Sequence, residues 1–333
     1  MAATLDRSEF KIEFACADIC LLKFWPQYSG LVKQKQLALK TLAARTYSEY
    51  LASANSNLSA AFAAPFRFMA FFVCGLPTSR TRNVPKSRMA SLIKQVKRGV
   101  RRKSGALLHR AIHGSPPWVR AHVAPALCYA EMLFVDYGVT RVLYNNRHQI
   151  SADAWRSAQP APHHIRWIAE RGIKTIINLR GDQTFGTRWL QESACKRHGI
   201  ELVDLKLLSR AAPTRDELKA MRALLKDATY PILVHCKSGA DRAGLMSVMV
   251  RFVHDGVPIR EAMKELSLRY GHFRHADTGV LDAVFERYLT DDAASPIDFW
   301  DWVDRIYDPA EIKRTFRAKG WANRLVNGIL RRE

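Results

Sequence analysis

The sequence predicts an α/β fold in which a central, mainly parallel sheet is flanked by helices. From about Thr140 onward, short runs rich in β-branched residues alternate with segments of helical periodicity. This alternation is typical of α/β layer folds. Hydrophobic residues make up 48% of the 333 residues and charged residues 25%, a balance that suits a globular chain with a sizeable core.

The strands and helices of this region follow from local patterns. Compact apolar runs predict strands at 141–145, 173–179, 200–205 and 231–235. Helical periodicity predicts helices at 161–171, 187–198, 214–228, 242–255, 258–270 and 279–290. The helix at 214–228 also begins with Thr214 and Glu217, three residues apart, which is the signature of a capping box.

Changes in composition divide the chain into four parts. Residues 1–88 give few interpretable signals and are expected to form a poorly ordered or accessory extension. Residues 89–139 predict basic amphipathic and apolar helices, and 140–292 form the α/β domain. Residues 293–333, rich in Trp, Asp and Arg, predict a C-terminal helical tail.

The net charge indicates the kind of partner. Lys and Arg number 52 against 31 Asp and Glu, giving a formal charge of +21. Such a positive field attracts phosphorylated substrates, acidic lipid headgroups or nucleic acid. Nucleic acid is not expected as the partner, because no motif that reads it is recognisable.

A cationic helix is predicted near residues 89–110. Leu92, Ile93, Val96 and Val100 recur at helical spacing with basic residues between them. A helix of this kind can lie on an anionic bilayer, so a peripheral membrane contact is one interpretation. A solvated face packed on the α/β domain and a disordered basic arm are the alternatives.

Two apolar stretches, 59–76 and 118–135, are not expected to span a membrane. Pro65 and Arg67 interrupt the first, while Arg120, Pro125 and Glu131 interrupt the second. Neither reaches about twenty uninterrupted apolar residues. Buried or membrane-surface helices are the simpler interpretation.

The cysteines indicate a reducing compartment. The six cysteines include no CxxC pair and no Cys/His cluster at the spacing of metal ligands. Residues 1–9 also lack the layout of a secretory signal. We therefore expect a cytoplasmic location, with at most a peripheral association at the inner face of the membrane.

The segment between the predicted strand 231–235 and the following helix carries the chemistry. It reads His235, Cys236, Lys237, Ser238, Gly239, Ala240, Asp241, Arg242, which is a His-Cys-x5-Arg signature. A loop from a strand end to a helix N-terminus can turn its backbone N–H groups inward to hold an anion. The sequence therefore predicts a phosphate-binding loop formed by His235, Lys237, Ser238, Gly239 and Ala240.

Each of these loop residues has a physical role to fill. The positive environment favours a Cys236 thiolate at neutral pH, which is a nucleophile for phosphorus. Arg242 can hold two phosphate oxygens with its planar guanidinium. Gly239 lets the backbone bend, and His235 orients the loop through hydrogen bonds.

The loop HCKSGADRAG resembles that of the protein-tyrosine and dual-specificity phosphatase superfamily. WRSAQP at 155–160 and IKTIINLRGD at 173–182 also resemble the opening of atypical dual-specificity phosphatases, so the similarity covers about 140–290. The resemblance implies a cysteine-phosphatase fold and a two-step reaction through phosphocysteine, with no metal or other cofactor. Many members have Ser or Thr after the loop arginine, and Ala243 here puts the speed of the second step in question.

The general acid is left open between two carboxyl groups. Asp241 resembles the acid of lipid-directed members whose loops end in Asp-Arg, and it is slightly favoured. Asp204 lies at the end of a predicted strand, 236 − 204 = 32 residues before the nucleophile, as in dual-specificity enzymes. Asp182 is a third candidate, but it reads more simply as a turn residue.

The substrate is also left open. A phosphoprotein or another phosphomonoester is the first expectation. The alternative is an anionic phospholipid at the membrane surface, because Lys237 and the cationic helix suit such a substrate and resemble phosphatidylglycerophosphate phosphatases. A phosphate-binding module without activity and a rhodanese-type sulfurtransferase are further readings, which the joint presence of Cys236 and Arg242 in this loop disfavours.

Overall fold

The computed structural model describes residues 86–181 and 183–316. Within the first helix, side chains are described at residue 95 and from residue 99 onward. The predicted extension 1–88 therefore lies almost wholly outside the described residues. The apolar stretch 59–76, Asp182 and residues 317–333 of the predicted tail lie outside them as well.

Helices precede the sheet and alternate with its strands. The sheet contains β1 (His148–Ser151), β2 (Ala154–Ser157), β3 (Thr175–Asn178), β4 (Glu201–Asp204) and β5 (Ile232–His235). The helices before it are α1 (Lys86–His113), α2 (Pro117–His122), α3 (Ala124–Phe134) and α4 (Val139–Leu143). Those that follow are α5 (Pro162–Glu170), α6 (Phe185–Arg197), α7 (Arg215–Asp227), α8 (Asp241–Met249), α9 (Ile259–Ala262), α10 (Val280–Ala294), α11 (Phe299–Arg305) and α12 (Pro309–Thr315).

The five strands follow the order β1-β2-β5-β3-β4. Only β1 and β2 pair antiparallel, while β2–β5, β5–β3 and β3–β4 pair parallel. The predicted central, mainly parallel sheet flanked by helices is confirmed. Since β5 is the middle strand, the segment that follows His235 emerges at the centre of the carboxyl edge of the sheet.

Both faces of the sheet are covered. Ile176 and Leu233 pack in an apolar cluster with α5 and α6, whereas Ile177 and Val234 pack in the larger cluster on the other face. This alternation reflects the two-residue period of a strand. Strands buried on both sides read as continuous apolar runs, which is why β3 and β5 were predictable.

The predicted helices are confirmed with two modifications. Thr214 and Glu217 form the predicted capping box: the Glu217 N–H donates to Thr214 Oγ1 and the Thr214 N–H to Glu217 Oε2. Helix α8 continues as a π-helical turn from Val250 to His254. The predicted helix 258–270 is instead α9 followed by short 3₁₀ turns.

The prediction of a strand at 141–145 is wrong, because the first residues of this segment belong to helix α4, which ends at Leu143. Its β-branched residues suggested a strand, but Arg141 folds back and donates to the Asp136 carbonyl and carboxylate. The additional strands are β1 and β2, which form a hairpin at one edge.

The chain beyond α10 joins the main core. Phe299, Trp302 and Tyr307 are buried in the same cluster as β5 and α8. Helix α11 carries Phe299 and Trp302, and Tyr307 lies in the connection between α11 and α12. The stretch 118–135 folds as α2 and α3, and no helix in the described parts of the chain combines the length and apolarity needed to cross a bilayer.

Candidate active site

The loop predicted to bind phosphate lies between β5 and α8. Strand β5 is buried along its whole length, and Cys236 follows it with 1% exposure. Helix α8 begins at Asp241, so Arg242 stands in its first turn and is half-buried. The loop therefore joins a rigid strand end to the positive end of a helix dipole.

Arg156 of β2 holds the second half of this loop from behind. Its Nη2 donates to the carbonyl oxygens of Gly239 and Ala240 at 3.1 and 2.9 Å. Its Nη1 donates to the Glu265 carbonyl and carboxylate, each at 2.8 Å. The guanidinium is fully buried, and its carbon lies 4.1 Å from the Tyr270 ring centroid.

Two amides hold the first half of the loop. The Gln159 N–H donates to the Lys237 carbonyl at 3.3 Å, and Asn146 Nδ2 donates to the Ser238 carbonyl at 2.9 Å. Four consecutive carbonyls, 237–240, thus face the scaffold. In a trans peptide the N–H points opposite to the C=O, so the N–H groups that follow these carbonyls face away from the scaffold, as an anion cradle requires.

Gly239 is required at its position for two reasons. Its φ of 74° lies in the left-handed region, which side-chain-bearing residues avoid. A Cβ there would also lie 2.6 Å from the Ala158 nitrogen and 2.7 Å from the Ser157 carbonyl carbon. The end of β2 therefore packs directly on the loop backbone, and only glycine permits this approach.

Cys236 lies in a positive electrostatic field. Burial lowers the pKa of Arg156, while Glu265, Tyr270 and Cys236 raise it. Arg156 is therefore close enough to Cys236 for the two groups to interact electrostatically.

His235, the last residue of β5, is neutral and fully buried directly before the loop. Burial lowers its pKa to about 3, assisted by the charges of Arg180, Arg141 and Arg242 and opposed by a hydrogen bond to the Cys236 carbonyl. Gln191 Nε2 donates to His235 Nε2 at 2.6 Å, which leaves Nδ1–H to donate to that carbonyl at 3.4 Å. These contacts join His235 to α6 and to the loop backbone, and its orienting role stays a prediction.

Asp241 lies in a buried ionic triad. His272 donates from Nδ1 to Asp241 Oδ1 at 2.8 Å and from Nε2 to Asp282 Oδ2 at 2.6 Å. Burial alone would lower the pKa of His272, but both hydrogen bonds and both carboxylate charges raise it to about 9. An imidazolium held in this way keeps Asp241 as a buried acceptor, which favours a role in anchoring the start of α8.

This triad predicts a pH-dependent stability. The pKa of His272 rises from the usual 6.5 to about 9 on folding. Its stabilisation is therefore complete below pH 6.5 and is lost as pH rises through 9, by on the order of 3 kcal/mol. Urea unfolding of wild type and His272→Gln across this range should show their free energies of unfolding converging at high pH. A constant difference would contradict the assignment.

Asp204, the second acid candidate, ends β4 at the same edge of the sheet. Its Oδ1 accepts from Asn178 Nδ2 at 2.7 Å and from Arg188 Nη1 at 2.6 Å. The side chain is 48% exposed. Two strand spacings, about 10 Å, separate β4 from β5, so Asp204 lies beside the loop and open to solvent.

Lys237 lies next to a cluster that the sequence did not suggest. Asp136, buried, accepts from Arg180 at 2.8 and 2.9 Å, from Arg141 at 2.8 Å and from Arg101 at 3.0 Å. Burial would raise the pKa of Asp136, but these arginines and Lys237 hold it well below its usual range.

The same charged groups also affect the pKa of Lys237. Burial lowers the pKa of Lys237 to about 8, with Asp136 opposing the shift and the charges of Arg180, Arg141 and Arg101 adding to it. One carboxylate thus balances several cations, and the region beside the loop keeps an excess of positive charge. Such a field suits a highly anionic ligand.

A group of side chains with the geometry of a cation site lies away from the loop. Among the described residues, Asp153, His254 and Asp255 bring their ligand atoms within 4.8 Å of one another. Asp153 precedes β2 and its carbonyl accepts from the Ile232 N–H at the start of β5. The cluster is therefore at the opposite end of the strands, about 13 Å from the loop, and plays no part in the site.

Comparison with known proteins finds one matching family model and several similar sequences. Residues 137–280 match a family model described as a DSP-PTPase phosphatase fused to NAD+ kinase. Chloroplastic NAD kinase 2 of Arabidopsis thaliana is 29% identical over 119 residues, which are 33% of this chain and 12% of the relative. The dual specificity protein phosphatase TpbA of Pseudomonas aeruginosa is 26% identical over 137 residues, 40% of this chain and 57% of the relative.

Residues 137–280 are therefore similar to the protein-tyrosine/dual-specificity phosphatase superfamily. The crystal structure of P. aeruginosa TpbA aligns with a TM-score of 0.33 and 20% identity, covering 51% of this chain and 89% of that one. The chain spans little more than half of TpbA and about an eighth of the plant NAD kinase. Helix α1 lies outside the residues that match the family model.

Proposed function

We propose that the chain is a cysteine-dependent phosphatase that hydrolyses phosphomonoesters through a phosphocysteine intermediate. The observation that carries the proposal is the loop 236–242. Its carbonyls at 237–240 face the scaffold, which turns the N–H groups that follow them toward a phosphate between Cys236 and Arg242. The dual-specificity phosphatases among the relatives support the same reaction class.

In the first step the Cys236 thiolate attacks phosphorus. The S–P bond forms, the bond from phosphorus to the ester oxygen breaks, and a carboxylic acid protonates the departing oxygen. The loop N–H groups and the Arg242 guanidinium stabilise the charge on the equatorial oxygens. Lys237, as part of the same loop, adds to the positive field.

In the second step water attacks the phosphocysteine. The carboxylate that gave its proton takes one from the water, the P–S bond breaks, and phosphate and thiolate are released. Ala243 is fully buried and offers no hydroxyl to assist the departing sulfur. The proposal therefore includes a second step that relies on the loop amides and Arg242, without a metal or other cofactor.

A phospholipid is the second candidate substrate. Among the described residues, six of the nine exposed large apolar side chains lie between residues 107 and 144: Leu107, Trp118, Phe134, Tyr137, Leu143 and Tyr144. Exposed Arg102, Lys103 and Arg110 accompany them. A region that exposes both apolar and cationic side chains suits an anionic bilayer, and on this ground we include a peripheral membrane contact at the inner face in the proposal.

The proposal is tested by assaying the purified chain with excess EDTA. We expect phosphate release from p-nitrophenyl phosphate, and acid-quenched protein should carry phosphate on Cys236 by mass spectrometry. Phosphotyrosine peptide and phosphatidylglycerophosphate vesicles then separate the two substrate classes. No turnover of any of these esters would contradict the proposed function.

We assign proton donation to Asp204, because its side chain is accessible at the carboxyl edge even though it pairs with Arg188, whereas Asp241 is buried against His272. Asp204→Asn should lower kcat for hexyl phosphate by about 10²-fold. The loss should be much smaller for p-nitrophenyl phosphate, whose leaving group departs without a proton. Asp241→Asn serves as the comparison and should affect both substrates equally; a leaving-group-dependent loss in that variant would assign the acid to Asp241 instead.

A further inference from the structure

A cavity lies beside the phosphate-binding loop. It has a volume of about 670 Å³ and opens at the carboxyl ends of β3 and β4. Helix α1, the loop after β3, the first turn of α6 and the end of β4 form its walls. No residue of the loop 236–242 lines it, but Asp204, the proposed proton donor, does, so the cavity adjoins the nucleophile's site.

The walls of this cavity are strongly cationic. Among the described residues that line it, Asp204 carries a carboxylate and five side chains are cationic: Arg101, Arg102, Arg180, Arg188 and Lys206. Low-dielectric walls lined by one sign of charge concentrate ions of the opposite sign. The expected occupant is therefore an anion.

Two of these cations are available to a ligand. Arg101 and Arg180 bind Asp136, and Arg188 binds Asp204 and Glu192. In residues 86–181 and 183–316, neither Arg102 nor Lys206 forms an ion pair with any carboxylate. Both are exposed at the cavity rim, so they can close on an anion without breaking an existing ion pair.

Gln183 adds unused hydrogen-bonding capacity. Its Nε2 and Oε1 atoms are both buried, and neither has a partner within the described portion of the chain. Buried polar groups are satisfied in most proteins, by protein or by a bound molecule. The buried Gln183 amide, which has no hydrogen-bond partner in the described portion of the chain, can therefore bind a polar ligand in the cavity.

The cavity is close to the reaction centre. Asn178, in its wall, pairs with His235 on one side and with Asp204 on the other. Strand spacing therefore sets about 5 to 10 Å between the loop and the cavity. Arg180 lines the cavity and binds Asp136, whose charge acts on Lys237 of the loop, so the positive field continues from one site to the other.

We propose that this cavity is a second anion subsite and that the enzyme prefers phosphomonoesters carrying a second phosphate about 10 Å from the scissile one. The inference rests on the proposed phosphatase function and narrows its substrate class. Helix α1, which supplies Arg101 and Arg102, lies outside the family match at 137–280. The proposed preference therefore depends on residues outside the family match.

Linear diol bisphosphates test the proposal, since their length sets the distance between phosphates. Initial rates of phosphate release are compared for hexanediol monophosphate and for butane-, hexane- and octanediol bisphosphates. In the full-length protein, kcat/KM should be about tenfold or more higher for the best bisphosphate than for the monophosphate, with an optimum of chain length. Equal values for all four esters would overturn the subsite and leave the phosphatase function standing.

A pair of variants locates the subsite. Arg102→Gln/Lys206→Gln should lower the ratio of kcat/KM between bisphosphate and monophosphate toward one. The matched control, Arg120→Gln/Lys174→Gln, removes the same charges from exposed positions outside the cavity and should keep the wild-type ratio. An unchanged ratio in the first variant, or an equal fall in both, would overturn the assignment. No phosphate release by wild type from any ester would instead overturn the proposed function.

Discussion

Replacing Cys236 with serine should abolish phosphate release and leave binding of a phosphate ester largely intact. We expect kcat to fall by at least about 10⁴-fold, because a serine hydroxyl keeps its proton where a thiol loses it. The loop N–H groups and Arg242 are unchanged by this substitution, so the anion cradle remains. Release of p-nitrophenol measures the rate, and calorimetry with p-nitrophenyl phosphate measures the binding.

Two other cysteines provide the control. Burial raises the pKa of Cys128 to about 12, with Glu131 adding to the shift, and burial raises that of Cys195 to about 12. Both are protonated at neutral pH and pack in apolar clusters. Cys128→Ala and Cys195→Ala should therefore keep kcat near wild type. Substantial turnover by Cys236→Ser would contradict the assigned nucleophile.

The sheet and its central loop could be predicted because their determinants are local. β3 and β5 are continuous apolar runs, and the loop after β5 has a spacing of His, Cys and Arg that few other structures require. The hairpin β1–β2 was not predicted, since its segment HQISADAWRS mixes polar and apolar residues. Its strands are defined by pairing with β5 instead.

The residues that support the loop could not be predicted from spacing. Arg156 reaches Glu265 across 109 positions, and Arg180 reaches Asp136 across 44. A buried arginine is costly unless its partners surround it, and those partners are assembled only by the fold. The one local signal was that Arg156 belongs to WRSAQP, the segment already noted for its family resemblance.

Substituting Arg156 should have the second largest effect, although Arg156 is a positioning residue behind the loop. Arg156→Lys keeps the charge but lacks the planar fork that reaches Gly239, Ala240 and Glu265 together. Freed carbonyls let the loop amides turn away from phosphate, so kcat should fall by about 10²-fold or more. Steady-state kinetics with p-nitrophenyl phosphate, well below the unfolding temperature, measures this loss.

A destabilising variant away from the loop separates positioning from stability. Leu225 is 2% exposed near the end of α7, and Leu225→Ala should cost about 2–5 kcal/mol of stability. Because α7 ends beside the start of β5, this variant should keep kcat while its unfolding temperature falls. If both Leu225→Ala and Arg156→Lys lowered kcat in proportion to their loss of stability, the orientation of the loop would depend on the stability of the whole core and not on Arg156. A loss of kcat confined to Arg156→Lys instead assigns the orientation of the phosphate-binding amides to one buried guanidinium.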